Sequence, residues 1–159
     1  MFEVMNEDKV AIIMRGLPGS GKSYWVSQYL DTHVKNVGLE QAKAEVKVFS
    51  TDQFFVNNGI YTFNAALLSK YHQMNLTAFI EAMSDGVRFV ICDNTNIALW
   101  EFAAYRAAAK ALGYKVIIKQ VGIPSNFAHQ QLCANRNRHR VTLNSIKRMA
   151  TLFETIDHI

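Results

Sequence analysis

The stretch "GLPGSGKS", Gly16 to Ser23, sets a lysine and a hydroxyl behind three glycines at a spacing that can hold a chain of phosphates. Gly16, Gly19 and Gly21 let the backbone wrap tightly enough for successive N–H groups to point inward, with Leu17, Pro18 and Ser20 between them. A helix opening at Lys22 adds the positive end of its dipole. Lys22 can then reach the outer phosphates of a nucleoside triphosphate, and the Ser23 hydroxyl can ligate Mg²⁺. A glycine-rich turn can match by accident. Here the match follows an apolar run and precedes a helical stretch, the context such a loop requires. ATP and Mg²⁺ are the expected ligands.

Two carboxylates stand where such a ligand would need them. Asp52 follows the run "VFST" and Asp93 closes "VICD". In open parallel sheets, ligands bind beyond the carboxyl ends of the strands, so both acids converge on the glycine loop. Transfer of a phosphoryl group needs a base near the acceptor hydroxyl and a group that organises the metal. Asp93, ending an apolar run, is the metal candidate beside Ser23, and Asp52 is the base candidate. Each has a plainer reading. Asp52 can cap a helix or form an Asx turn, and Asp93 can belong to a turn locked by Asn94, Thr95 and Asn96.

The elements that must position these residues read as an alternation. "VAIIM" (10–14), "VKVFS" (46–50), "VRFVIC" (87–92) and "YKVIIKQV" (114–121) have the short, β-branched character of strands. The first and third are almost wholly apolar, as expected of strands buried on both faces. Helices are expected over 22–31, 65–83, 100–112, 125–135 and 142–155, with Gly113 as a C-terminal cap and Trp25 in the core. The stretch 33–47 is polar, of helical character and without an evident task. The whole, 1–159, is expected to be one α/β domain: a mainly parallel sheet with helices on both faces.

Composition narrows the class. Half of the 159 residues are hydrophobic and 19% are charged, which supports a packed core and argues against disorder. No apolar stretch approaches a membrane span, and "MFEVMNEDKV" lacks a secretory signature. Cys92 and Cys133 form no disulfide or metal pattern, so a cytoplasmic protein with buried thiols is expected. The net charge of +4 is gathered near the C-terminus, in Arg136, Arg138, Arg140, Lys147 and Arg148. That suits an anionic partner. Nothing fixes an oligomeric state.

Taken in order, "RGLPGSGKS", "STDQFF", "YHQMN", "VICDNTN", "WE", "GYKV", "NRNRHRV" and "IKRM" resemble the polynucleotide 5′-hydroxyl kinase branch of the P-loop kinases, including the phage enzyme's kinase domain. The likeness runs from about Ala11 to Glu154. It implies a P-loop kinase fold with Asp52 as general base, Lys22 and Ser23 at the phosphates and Mg²⁺, and Asp93 at the second acidic position. It also implies an arginine-bearing C-terminal lid over ATP, carrying Arg136 and Arg140 as catalytic residues, an effect worth ~10³–10⁵ in rate for arginine fingers generally. Three arginines alternating with Asn and His make a poor amphipathic helix, in keeping with a lid.

The acceptor implied is the 5′ end of RNA or DNA. His72 sits where relatives often carry histidine. One departure bears on the acceptor: Phe55 stands where the phage pattern has a phosphate-binding arginine, and Gln53 replaces a frequent acid. Phe54 and Phe55 can stack on a base, or pack in the core. A small-molecule kinase of the same fold is therefore the alternative. A nucleotide-binding regulatory module without an acceptor is a third reading, and it would not need Asp52.

Overall fold

The computed structural model describes residues 8–156. Four parallel strands lie in the order β2 (Val46–Phe49), β5 (Phe89–Cys92), β1 (Val10–Arg15), β6 (Lys115–Gln120). The two central strands are the most apolar, because each of their faces is covered. Alternation along β1 divides its side chains between two cores. Ala11 and Ile13 join Val90, Phe79 and Phe102 on the face covered by α3 (Leu68–Ser84) and α4 (Leu99–Ala111). Ile12 and Met14 join Ile91 and Val26 under α1 (Lys22–Val37) on the other. Ile12 stands level with Ile91 and Ile117 across the sheet. The expected doubly covered parallel sheet is the one observed.

Helix α1 continues six residues past the expected end at Asp31, stopping where Gly38 adopts φ 90° and returns its N–H to Val34. The polar stretch after it forms α2 (Leu39–Glu45), a short return to the edge strand. His33 and Arg88 meet Glu45 at 2.9 and 3.4 Å and hold α1, α2 and β5 together there. Helix α3 begins as a single 3₁₀ turn, Ala65–Leu67, with Asn64 accepting from Ala66 N. Its fully buried line is Asn75, Phe79 and Met83. Asn75 is tolerated there because its amide donates to Tyr105 Oη at 2.8 Å.

Between β2 and α3 the chain makes a 3₁₀ turn, Thr51–Phe55, and a hairpin of β3 (Val56–Asn57) and β4 (Ile60–Tyr61). Asn58 and Gly59 form its tip at φ 51° and 76°, a pairing that matches the twist of a tight hairpin. At the C-terminal end, α5 (Phe127–Arg136) and α6 (Leu143–Leu152) close a third cluster around Leu17, Ile97, Cys133 and Ile146. Both cysteines are free and buried, as expected. Among the described residues no helix is long and apolar enough to cross a membrane.

Candidate active site

The glycine loop leaves β1 and enters α1 through Gly21, which holds φ 107° at the helix entrance. Lys22 folds back over the loop, donating to Gly16 O at 3.0 Å and Leu17 O at 2.9 Å. Burial lowers its pKa, and the carboxylates of Asp93 and Asp52 act against that shift. The Ser20 hydroxyl is buried in the loop without a hydrogen-bond partner. An oriented lysine and an orphaned buried hydroxyl fit a phosphate, whose oxygens would satisfy both.

Beside the loop, Ser23 Oγ donates to Asp93 Oδ2 at 3.0 Å. Burial raises the Asp93 pKa, while the Ser23 hydrogen bond and the Lys22 charge pull it down. A hydroxyl and a carboxylate oxygen at this distance fit Mg²⁺, and could hold it if phosphate oxygens and water supplied the remaining ligands. Asp93 is thus bound to the phosphate-loop helix. The neighbouring turn is locked by Asn94 and Asn96: Asn94 Oδ1 accepts from Thr51 N at 3.0 Å, and Asn96 Nδ2 donates to Met14 O at 2.8 Å.

That first bond settles how the Asp52 turn starts. Asn94 caps it from another strand, and Thr51 Oγ1 meets His72 Nδ1 at 2.9 Å. The Asp52 carboxylate caps nothing in its own turn. It is half exposed, with Oδ2 3.5 Å from His139 Nε2. Tyr61, across the hairpin, has its phenol pKa raised by burial and then by the Asp52 charge. Phe55 is 4% exposed and packs in a ring of Tyr61, Phe63 and Tyr71. Phe55 is core, while Phe54 is half-buried with its ring 5.6 Å from that of Tyr71.

The arginine segment does not continue the helix. α5 ends at Arg136, and 137–142 is a loop tied by Asn137, whose Oδ1 accepts from Val141 N at 2.8 Å. Its Nδ2 donates to the carbonyls of Cys133, Ala134 and Val141. The end of α5 lies on the glycine loop so closely that a Cβ at Gly19 would overlap Cys133 O and stand 2.9 Å from Asn137 N. Arg136 Nη2 reaches Ser20 O at 3.5 Å. Arg140, at φ 57°, is exposed, and neither it nor Arg138 makes a hydrogen bond or ion pair among the described residues.

Three features had no expectation attached. Arg15, inside the resembling motif, is 1% exposed and donates to the carbonyls of Asn96, Ile97 and Glu154 at 2.8, 2.9 and 2.7 Å. Phe102 and Phe153 flank its guanidinium at 4.8 and 4.3 Å. It fixes the loop that follows Asp93. Tyr61 and His139 stack at 3.8 Å beside Asp52, though they stand 78 positions apart in the sequence. The hairpin carrying Tyr61 had a readable signal in "NG" between β-prone pairs. His139 had none.

A family model described as an AAA domain, AAA_33, matches residues 12–156. The chain belongs to the AAA_33 family. Human NEDD4-binding protein 2 is 33% identical over 140 residues, covering 88% of this chain. Human YLP motif-containing protein 1 is 28% identical over 167 residues, covering 93%. This chain spans 7% of the length of each of these relatives. Among solved structures, a chain of the Pnkp1/Rnl/Hen1 RNA repair complex superimposes with TM-score 0.66 at 13% identity, over 95% of this chain and 46% of that one. The Mycobacterium tuberculosis APS kinase CysC Cys556Ala mutant gives TM-score 0.52 at 17% identity, over 91% and 93%. The fold of this AAA_33 member is that of a P-loop kinase, a nucleotide-binding fold. The resemblance to the polynucleotide kinase-like P-loop family holds.

Proposed function

We propose that this chain is an ATP- and Mg²⁺-dependent phosphotransferase that moves the γ-phosphoryl group onto the 5′-hydroxyl of an RNA or DNA end. The observation that carries the reading is the meeting of three strand ends. The glycine loop after β1, Asp93 after β5 and Asp52 after β2 leave the same edge of the parallel sheet, and Lys22 lies within reach of the charge of both acids. Mg-ATP bound there would supply an electrophilic phosphorus and a cation that offsets the charge of its phosphates. Lys22 and the Ser20 hydroxyl hold phosphate oxygens. Ser23 and Asp93 hold the metal. Asp52 would take the acceptor's hydroxyl proton as the hydroxyl oxygen bonds to the γ-phosphorus and the bond from that phosphorus to the β,γ-bridging oxygen breaks, releasing ADP. Arg136, already at the loop, offsets charge on the transferring group, and Arg140 joins it when the lid loop closes.

The likeness to a chain of an RNA repair complex and the cations of the lid favour a nucleic-acid end. The test is transfer of labelled γ-phosphate from Mg-ATP to 5′-hydroxyl RNA and DNA oligonucleotides, with Asp52→Asn as control. Labelling that the variant loses by ~10²-fold or more is expected. Absence of labelling on every oligonucleotide, with ATP still bound, retires this acceptor.

A second reading takes a small-molecule hydroxyl in the same site. Buried Phe55 provides no cation beside Asp52, and APS kinase is matched over nearly its whole length. The salt response separates the two. A single strand held through Z phosphates loses affinity with a slope of about −0.7Z against log salt, and a small acceptor does not.

A further inference from the structure

Asp52 is covered by a residue of the lid loop. His139 lies flat against Tyr61, ring centroids 3.8 Å apart and planes 29° from parallel. Its Nε2 lies 3.5 Å from Asp52 Oδ2. Tyr61 does not move freely under it. The ring is braced edge-on by buried Phe55 at 6.1 Å, and its strand is set by the pairing of Val56 with Tyr61 and by Thr62 N donating to Phe55 O at 2.9 Å. The imidazole is the looser partner. It is one-third exposed, and it sits on a loop whose tie, Asn137, fixes the two ends and leaves 138–140 outside.

A flat nitrogen heterocycle therefore rests on a fixed aromatic face with a polar edge at the carboxylate. A nucleoside presents the same pair of groups. Its base and its 5′-hydroxyl arm leave the same face of one sugar, so a base stacked on Tyr61 keeps the hydroxyl near Asp52. Stacking accepts any base, since each has a π-face. The exposed cations of Arg138 and Arg140 flank His139 in sequence, and the next phosphate of a strand would meet them.

Resting on the kinase reading above, we infer that the Tyr61 ring face is a stacking subsite for the terminal base of a 5′-hydroxyl nucleic-acid acceptor, covered by His139 until the acceptor displaces it. The subsite selects a nucleoside end over a hydroxyl without a ring. It also makes the lid loop and the acceptor compete for one surface.

Binding and transfer are measured separately. Dissociation constants are read by fluorescence anisotropy for short 5′-hydroxyl oligonucleotides whose first residue carries a base or is an abasic tetrahydrofuran. Base–aromatic stacking corresponds to roughly 5- to 150-fold in affinity. The intact protein is expected to prefer the base-bearing end by about tenfold. Tyr61→Leu abolishes that preference, and Tyr61→Phe, which keeps the ring, retains it. His139→Ala tightens the base-bearing end and leaves ATP affinity unchanged. An equal preference in the intact protein and Tyr61→Leu, with Tyr61→Phe folded, overturns the subsite. So does a tighter abasic end. Label transfer without base preference overturns the subsite while sparing the kinase reading; base-dependent binding without transfer does the reverse.

Discussion

Replacing Arg15 by Ala removes the donor for three carbonyls and the filling between two rings. Two of its three hydrogen bonds, to Asn96 O and Ile97 O, are fully buried, and the third, to Glu154 O, is partly so. Hydrogen bonds from a charged donor contribute about 1.5–3 kcal/mol each, and buried carbonyls left bare cost a similar amount. Water entering beside Glu154 recovers part of this. Burial also lowers the Arg15 pKa, so some of the gain is already offset by desolvation. The net expectation is a loss of ~4 kcal/mol, or about 8–16 °C in Tm for a domain of this size. Arg15→Lys keeps the charge but not the planar fork, and falls between. Thermal and urea unfolding followed by circular dichroism measure both variants. A cooperative Arg15→Ala transition within about 1 kcal/mol of the parent would refute the reasoning, because the carbonyls would have found other donors at no cost.

Three further outcomes follow from the site. Gly19→Ala strains a φ of 78° by ~1–2 kcal/mol and pushes the backbone at Cys133 and Asn137 off the loop; calorimetry should show ATP binding at least ~10-fold weaker, and an unchanged affinity contradicts the contact. Asp93 is raised by burial, so the folded state holds its proton more readily than the unfolded chain. Stability is then fullest below the ordinary carboxylate range and declines as pH rises from there to the folded pKa. Asp93→Asn should remove that decline, raise Tm at neutral pH and abolish Mg²⁺-dependent nucleotide binding; a lower Tm at neutral pH rejects the sign. Asn137→Ala frees Val141 N and three carbonyls, and hydrogen exchange at Val141 should accelerate by ~10-fold or more while the β1 amides stay protected.

The sheet was legible because its central strands are apolar without interruption, a pattern only burial on both faces accounts for. Strand ends then located the glycine loop, Asp52 and Asp93 at one edge of the sheet. Residues that act through distant partners left no such trace. Asn75 occupies a buried helix position that hydrophobic spacing passes over, and its partner Tyr105 lies on another helix. Asn94 caps the Asp52 turn across strands, so a local reading weighed Asp52 itself as the cap. Arg15 stands at the head of the glycine-loop motif, yet its donors go to backbone carbonyls far away in sequence. The polar stretch 33–47 read as helical and is so in the end of α1 and in α2, since a helix needs little apolar surface when, as in α2, Ala42 is its one buried residue.

Leu17 gives the lid a population. It belongs to the glycine loop, yet it is wholly buried in the cluster built by Cys133 of α5 and Ile146 of α6. Lifting those helices as a body would strip the leucine of its cover, at about 1.5–3 kcal/mol. By that measure a raised lid is a minor state, roughly one molecule in ten to one in a hundred and fifty. On the phosphotransferase reading, nucleotide and acceptor would then pass mainly by movement of the loop 137–142, and a substitution shrinking Leu17 would speed nucleotide exchange without removing a phosphate-binding side chain.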